Sequence, residues 1–169
     1  MYPIIEMPIT IEEFSNHPNW KKSTSNAFCN WYKEVTLDRI EMLKSYSAIN
    51  INFHSQDMLV ELADLLLEFK DTDEFKKKGI DSDDLVILTF DVGCVITQFF
   101  IKIFDDLELK PGLGPRNSDI KNLPTLYGFP TGAIYPCITG PINIRDRLFD
   151  DEDNSIILKA YQLRSGPIK

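Results

Sequence analysis

The sequence is poor in the residues that carry most recognisable chemistry. It has two histidines, His17 and His54, and three cysteines, Cys29, Cys94 and Cys137, set far apart. No C-x-x-C, H-x-x-x-H or H-E-x-x-H occurs, which argues against the short ligand spacings of zinc sites. An odd, scattered cysteine set in apolar surroundings (FCNWY, GCVIT, YPCIT) is expected to be reduced core thiols in the cytoplasm, not a disulfide framework. The absence of G-x-S-x-G removes the nucleophile elbow. Gly112-Leu113-Gly114 runs straight into Pro115, lacks a third glycine, and is expected to have neither a strand before it nor a helix start, so it does not read as a phosphate-binding loop. The pairs Asp71/Asp73 and Asp81/Asp83 open like calcium loops, but Lys76 and Val86 stand where a glycine is required. No cofactor, metal or catalytic set is expected, and the chain is not read as an enzyme.

Two further absences concern compartment. The N-terminal MYPIIEMPITIEEF has no cationic region and is interrupted by Pro3 and Pro8, so a signal peptide is not expected. The longest apolar stretch, LVILTFDVGCVITQFFIKIF, is broken by Asp91, Gln98 and Lys102, and no membrane contact is expected. Cations are also scarce: 18 Lys and Arg against 26 Asp and Glu give −8, without a general footprint for nucleic acid.

What is present is a chain of 169 residues, 43% hydrophobic, with 11 Phe, 6 Tyr and 2 Trp. That is enough for one compact domain with a real core. The expected class is α+β in a single domain, 1–169: helix-rich in the N-terminal two thirds, with short strands and Pro/Gly-rich loops in the C-terminal third. Thr10 and Glu13 have the spacing of a capping box, so a short helix over 11–16 should end at His17-Pro18. Phe28, Trp31, Tyr32 and Val35, then Leu37, Ile40, Leu43 and Tyr46, predict helix over 26–47 with room for a break at Val35-Thr36. Ser55 is placed to cap the helix DMLVELADLLLEF. Residues 84–107 read either as a strand over 85–90 followed by a helix over 95–107, with Asp91 as a helix N-terminal acid, or as one buried helix. Periodicity does not separate the two, because almost every position is apolar. From 111 to 141 fall six of the ten prolines and five of the eight glycines. Strands are expected at 133–138 and 155–163, separated by a turn of helix at NIRDRLF and the acidic loop DDEDN, and the final SGPIK should fray. Phe129-Pro130 and Tyr135-Pro136 are each open to either peptide isomer.

The charge is unevenly placed. Residues 57–108 hold 14 acids and 5 bases, and the remainder 12 acids and 13 bases, so 5 − 14 = −9 against 13 − 12 = +1. Within that segment Asp57, Glu61, Asp64 and Glu68 recur at i, i+4, i+7 and i+11, which lines four carboxylates along one helix face. Like charges at that spacing cost an isolated helix a few tenths of a kcal/mol per pair. Interleaved lysines would avoid this cost, so the stripe reads either as a solvated helix edge or as a surface matched to a cationic partner. Asp71, Asp73 and Glu74 extend it, Asp81, Asp83 and Asp84 lie further along, and Asp150, Asp151, Glu152 and Asp153 form a second candidate patch.

A small, acidic chain without a catalytic set and with an acidic helical face resembles bacterial immunity proteins, notably those of contact-dependent growth inhibition systems. The resemblance lies in these gross features. It implies a cytoplasmic inhibitor that binds and blocks a basic toxin domain, of nuclease type, because a nuclease holds phosphate with Lys and Arg and a carboxylate array can take the phosphates' place. It implies no direct nucleic-acid contact. Two other readings stay open: a DNA-mimic inhibitor with two acidic rows, and a small carboxylate-based hydrolase with a raised acid in a pocket beside His17 or His54.

Overall fold

The computed structural model describes residues 2–166. Its order is α1 (Ile11–Ser15), α2 (Lys22–Ser47), α3 (Asp57–Phe69), α4 (Asp73–Lys78), α5 (Asp83–Ile103), β1 (Glu108–Pro111), β2 (Pro124–Tyr127), β3 (Tyr135–Pro136), α6 (Thr139–Asp151) and α7 (Ile156–Ser165). This is the expected single α+β domain, with a small antiparallel sheet β1-β2-β3 between helices. Its register pairs Glu108 with Tyr127, Pro111 with Pro124, and Leu126 with Tyr135.

Local signals act as expected at the start of the chain. The Glu13 amide donates to Thr10 Oγ1 at 3.1 Å and the Thr10 amide to Glu13 Oε2 at 2.8 Å, closing the capping box of α1. A single 3-10 turn at His17–Asn19 follows. α2 begins four residues before the expected position and runs unbroken through Val35-Thr36, because the Thr36 hydroxyl donates to the Tyr32 carbonyl at 2.6 Å and is satisfied inside the helix. At α3 the Asp57 amide donates to Ser55 Oγ at 3.2 Å.

The stretch left open by the sequence is one helix, α5. Every residue from Asp91 to Thr97 on it is buried, against α2, α3 and α6. β-branched Val86, Ile87 and Thr89 cost helix propensity of at most about 0.7 kcal/mol each. Burial on several sides outweighs that. Asp83 and Asp84 occupy the first turn and favour the helix dipole. Asp91 is therefore not an N-terminal acid: it sits in mid-helix, with no exposed surface. Arg39 of α2 meets it in a two-pronged pair, Nε to Oδ1 at 2.7 Å and Nη2 to Oδ2 at 2.8 Å, and the Tyr2 hydroxyl donates to Oδ2 at 2.6 Å. Arg39 also donates to the carbonyls of Pro3 and Ile4, at 3.1 and 3.4 Å, which fastens the N-terminal segment onto α2 and α5. Although α5 is long and apolar enough by composition to cross a membrane, its apolar surface is largely spent on these neighbours.

The expected strands in the C-terminal third are mostly absent. The segment 133–138 narrows to the two residues of β3, since Pro136 has no amide for the ladder, and pairing continues only as the Cys137 amide donating to the Pro124 carbonyl at 2.9 Å. Residues 155–163 are helical instead. Asp153 Oδ1 accepts from both the amide and the hydroxyl of Ser155, at 3.0 and 2.5 Å, and starts a turn that Leu158, Lys159, Ala160 and Gln162 propagate well. Ile156 and Ile157 bury against the core, where α7 meets α3. The single turn expected at NIRDRLF is the middle of the 13-residue α6. Its start crosses α5 closely at Gly93, where a Cβ would lie 2.5 Å from Pro141 Cγ. Both Phe129-Pro130 and Tyr135-Pro136 are trans. Of the C-terminal SGPIK, Ser165 ends α7, and residues 167–169 lie outside the described residues.

The Arg39–Asp91 pair gives a direct test of this architecture. Asp91→Asn should destabilise the protein by about 3 to 5 kcal/mol in urea unfolding, because it strands a buried guanidinium. For a domain of this size that lowers the melting temperature by about 6 to 20 °C. The double change Arg39→Met with Asp91→Leu should recover most of the loss. A change under about 1 kcal/mol for Asp91→Asn would mean that the pair is not closed in solution.

Candidate partner-binding surface

α3 divides cleanly. Met58, Leu59, Leu62, Ala63, Leu66 and Phe69 are buried, while Asp57, Glu61 and Glu68 are exposed and Asp64 is half-buried. The acidic stripe is thus on the outer face of the helix, as its spacing predicts. The second patch is only partly a loop: Asp150 and Asp151 end α6, Glu152 follows in the left-handed conformation (φ 51°), and Asp153 starts the turn into α7. The left-handed residue ends α6 by sending its amide to the Leu148 carbonyl at 2.9 Å.

The fold brings the two patches edge to edge. Asn154 Nδ2 donates to Asp64 Oδ1 at 2.9 Å, across 90 residues of chain. Lys70, just past α3, pairs with Glu152 at 2.7 Å and lies over the Phe149 ring. Neither Asn154 nor Lys70 is singled out by the sequence, since each acts on a residue more than 80 positions away.

Four of the eleven predicted acids are engaged internally. Asp64 takes the Asn154 amide, Glu152 takes Lys70, and Asp153 takes Lys159 together with Ser155. Glu74 takes Lys78 at 2.9 Å and the Ser82 hydroxyl at 3.2 Å. The other seven, Asp57, Glu61, Glu68, Asp71, Asp73, Asp150 and Asp151, have no ion pair among the described residues. Asp81, Asp83 and Asp84 do not extend this surface evenly, because Lys76, Lys77 and Lys78 at the end of α4 intervene and Lys78 reaches Asp83 at 3.9 Å.

Among the described residues, the raised acid Asp91 and the two histidines lie apart from one another. Burial pushes the Asp91 carboxyl above its ordinary range, more than the Arg39 and Tyr2 hydrogen bonds hold it down. It is sealed among those two side chains and meets neither histidine. His17 Nδ1 is bonded to the Lys121 carbonyl at 2.6 Å, and His54 lines a shallow hollow with Lys102. The cysteines are free and buried; desolvation pushes Cys29 up to about 11, Cys137 up to about 12, and Cys94 higher still, which makes all three poor nucleophiles. Among the described residues no three His, Cys, Asp or Glu side chains are grouped to hold a metal.

The junction between α6 and α7 should respond to acid. Lys159 and the Ser155 donors hold Asp153 down at about 2, and Lys70 holds Glu152 below its ordinary range. Depressed carboxyls contribute stability above their unfolded values that is lost as pH falls through the folded ones, here from about 4.5 down to about 2. Asp91, raised in the folded state, acts with the opposite sign, so the effect should be local. Hydrogen exchange should show the first turn of α7 losing protection over this window in the wild type. An Asp153→Asn variant should lose most of this response, leaving the part due to Glu152, and protection that falls equally in both would remove Asp153 as the cause.

No protein-family model, curated protein or solved structure matches the chain, so the roles of these acids rest on the chain's own geometry and charge.

Proposed function

We propose that this protein is an inhibitor of the immunity type, which docks a basic toxin domain of nuclease chemistry on the acidic surface formed by α3 and the end of α6. The observation that carries this reading is the joining of two acidic segments, distant in sequence, by the Asp64–Asn154 and Lys70–Glu152 contacts, with seven of the eleven carboxylates left without an ion pair among the described residues. Folding gains nothing from such an arrangement: like charges at helical spacing repel, and exposed unpaired acids contribute little to stability. An approaching cluster of Lys and Arg gains both long-range attraction and charge-assisted hydrogen bonds.

The rigid support beneath the surface suits this task. α3 is held by a continuous apolar face, and the Asn154 and Lys70 contacts fix the α6–α7 junction against it. Carboxylates on a preorganised helix lose less freedom on binding than carboxylates on a loop. The same surface would occupy a nuclease's phosphate-binding cations without the inhibitor carrying out any reaction.

The experiment asks whether the neighbouring reading frame encodes a secreted protein with a basic C-terminal domain, and measures binding of this chain to that domain. Reversal of four unpaired acids, Asp57→Lys, Glu61→Lys, Glu68→Lys and Asp150→Lys, should lower affinity by about 100-fold or more, mostly through a slower and less salt-dependent association rate. Reversal of exposed Glu34 and Asp38 on α2 should leave binding within about threefold. Unchanged affinity in the four-site variant would exclude this surface as the docking site.

A further inference from the structure

The cations of this acidic chain are not scattered evenly. A cleft of about 680 Å³ opens between the start of α2, the 3-10 turn before it, and the loop joining β1 to β2. Lys22, Lys110, Arg116 and Lys121 line it, with Trp20 as an aromatic wall. Lys110 pairs with Glu108 at 2.6 Å, whereas Lys22, Arg116 and Lys121 have no carboxylate partner among the described residues. Arg116 uses only its Nε, donating to Asn19 Oδ1 at 2.6 Å, so its terminal nitrogens are not engaged there.

The walls are braced before any ligand arrives. His17 Nδ1 meets the Lys121 carbonyl at 2.6 Å, and Asn122 Nδ2 donates to the His17 carbonyl at 2.8 Å, tying the 112–122 loop to the turn before α2. The loop folds tightly on itself at Gly112, where a Cβ would lie 2.1 Å from the Ile120 carbonyl oxygen. β1 does precede Gly112-Leu113-Gly114, contrary to the expectation from sequence, and the opening of α2 lies across the cleft from it. No side chain caps the first turn of α2 and no acid stands in it. Lys21 and Lys22 at the positive end of a 26-residue helix are an electrostatic cost that a bound anion would offset.

The size and surroundings select among anions. A volume of about 680 Å³ falls within the range of small-molecule sites. Exposed Glu13 on α1, whose carbonyl accepts the Trp20 indole at 2.8 Å, adjoins one wall, and Glu108, paired with Lys110, adjoins another. A long polyanion leaving the cleft would meet these carboxylates. Three unpaired cations match the charge of a compact multivalent group.

We infer that this cleft binds a small phosphorylated ligand, its phosphoryl oxygens held by Lys22, Arg116 and Lys121. The site is separate from the acidic surface and does not depend on that surface's role.

The test is a titration of the whole protein with inorganic pyrophosphate at about 50 mM salt, followed by NMR. Saturable shifts are expected in the Lys22–Ser25 amides and the Trp20 indole. Lys22→Ala and Lys121→Ala should each weaken binding by about tenfold, the loss of one charge-assisted hydrogen bond, and added salt should weaken it further. ADP that binds more tightly than pyrophosphate would support a nucleotide as the source of the phosphate, and equal binding would support a free phosphoryl anion. Absence of saturable shifts would overturn the inference. So would adenosine binding as well as ADP, a 20-residue single-stranded oligonucleotide displacing pyrophosphate in preference to ADP, or unchanged affinity in a folded Lys22→Ala/Lys121→Ala protein.

Discussion

The buried contact between Arg39 and Asp91 is the constraint on which the arrangement of this protein depends. Taking both charges out of water costs several kcal/mol per ion, and only near-ideal geometry with the remaining donors and acceptors satisfied offsets that. Here the two-pronged pair, the Tyr2 hydroxyl, and the carbonyls of Pro3 and Ile4 meet that condition together. An apolar pair of similar volume would tolerate sliding between α2 and α5, whereas this contact does not. One rotation and one translation of the two longest helices satisfy it, and the N-terminal segment is fixed at the same time.

From that fixed pair of helices the two charged surfaces diverge. α5 carries α3 and α6 against one part of its surface, and α2 packs against another and meets β1 and β2. The acids of α3 and α6 therefore belong to one side of the central helix pair, and Lys22, Arg116 and Lys121 to the loop and helix start around α2. Within the net charge of −8, an acidic face and a basic cleft are set apart, so the charge is not spread uniformly. A molecule of this kind presents itself to a charged partner in a preferred orientation before contact is made.

What could be read from the chain depended on how far apart the interacting residues are. Thr10 with Glu13, and Asp57 through Glu68, act within one helix, and both features stand as their spacing predicts. Asp91 was misplaced because its partner lies 52 residues earlier, and nothing beside it announces a buried charge. Residues 155–163 read as a strand because apolar side chains recur there at short intervals; the deciding contacts, Asp153 to Ser155 and Ile157 into the core beside α3, are a cap and a tertiary packing term. The acidic stripe was legible, but its union with Asp150 and Asp151 was not, since Asn154 and Lys70 are ordinary surface residues until the fold joins them. The cleft was hidden for the same reason, its cations being drawn from positions 22, 110, 116 and 121.

The contact between Asp64 and Asn154 also bears on when the acidic surface comes into being. The two residues are 90 positions apart. At the pace of synthesis, roughly 5 to 20 residues per second, about 5 to 18 s separate the emergence of α3 from that of its partner. During that interval the apolar face of α3 has α2 available but lacks α5 at first, and α6 and α7 until the end. A chain cut short before Glu152 would still contain every carboxylate of the stripe, yet neither contact that joins it to the second patch. The joined acidic surface is in this sense a late product of synthesis, which arises only once the residues that follow α6 are made.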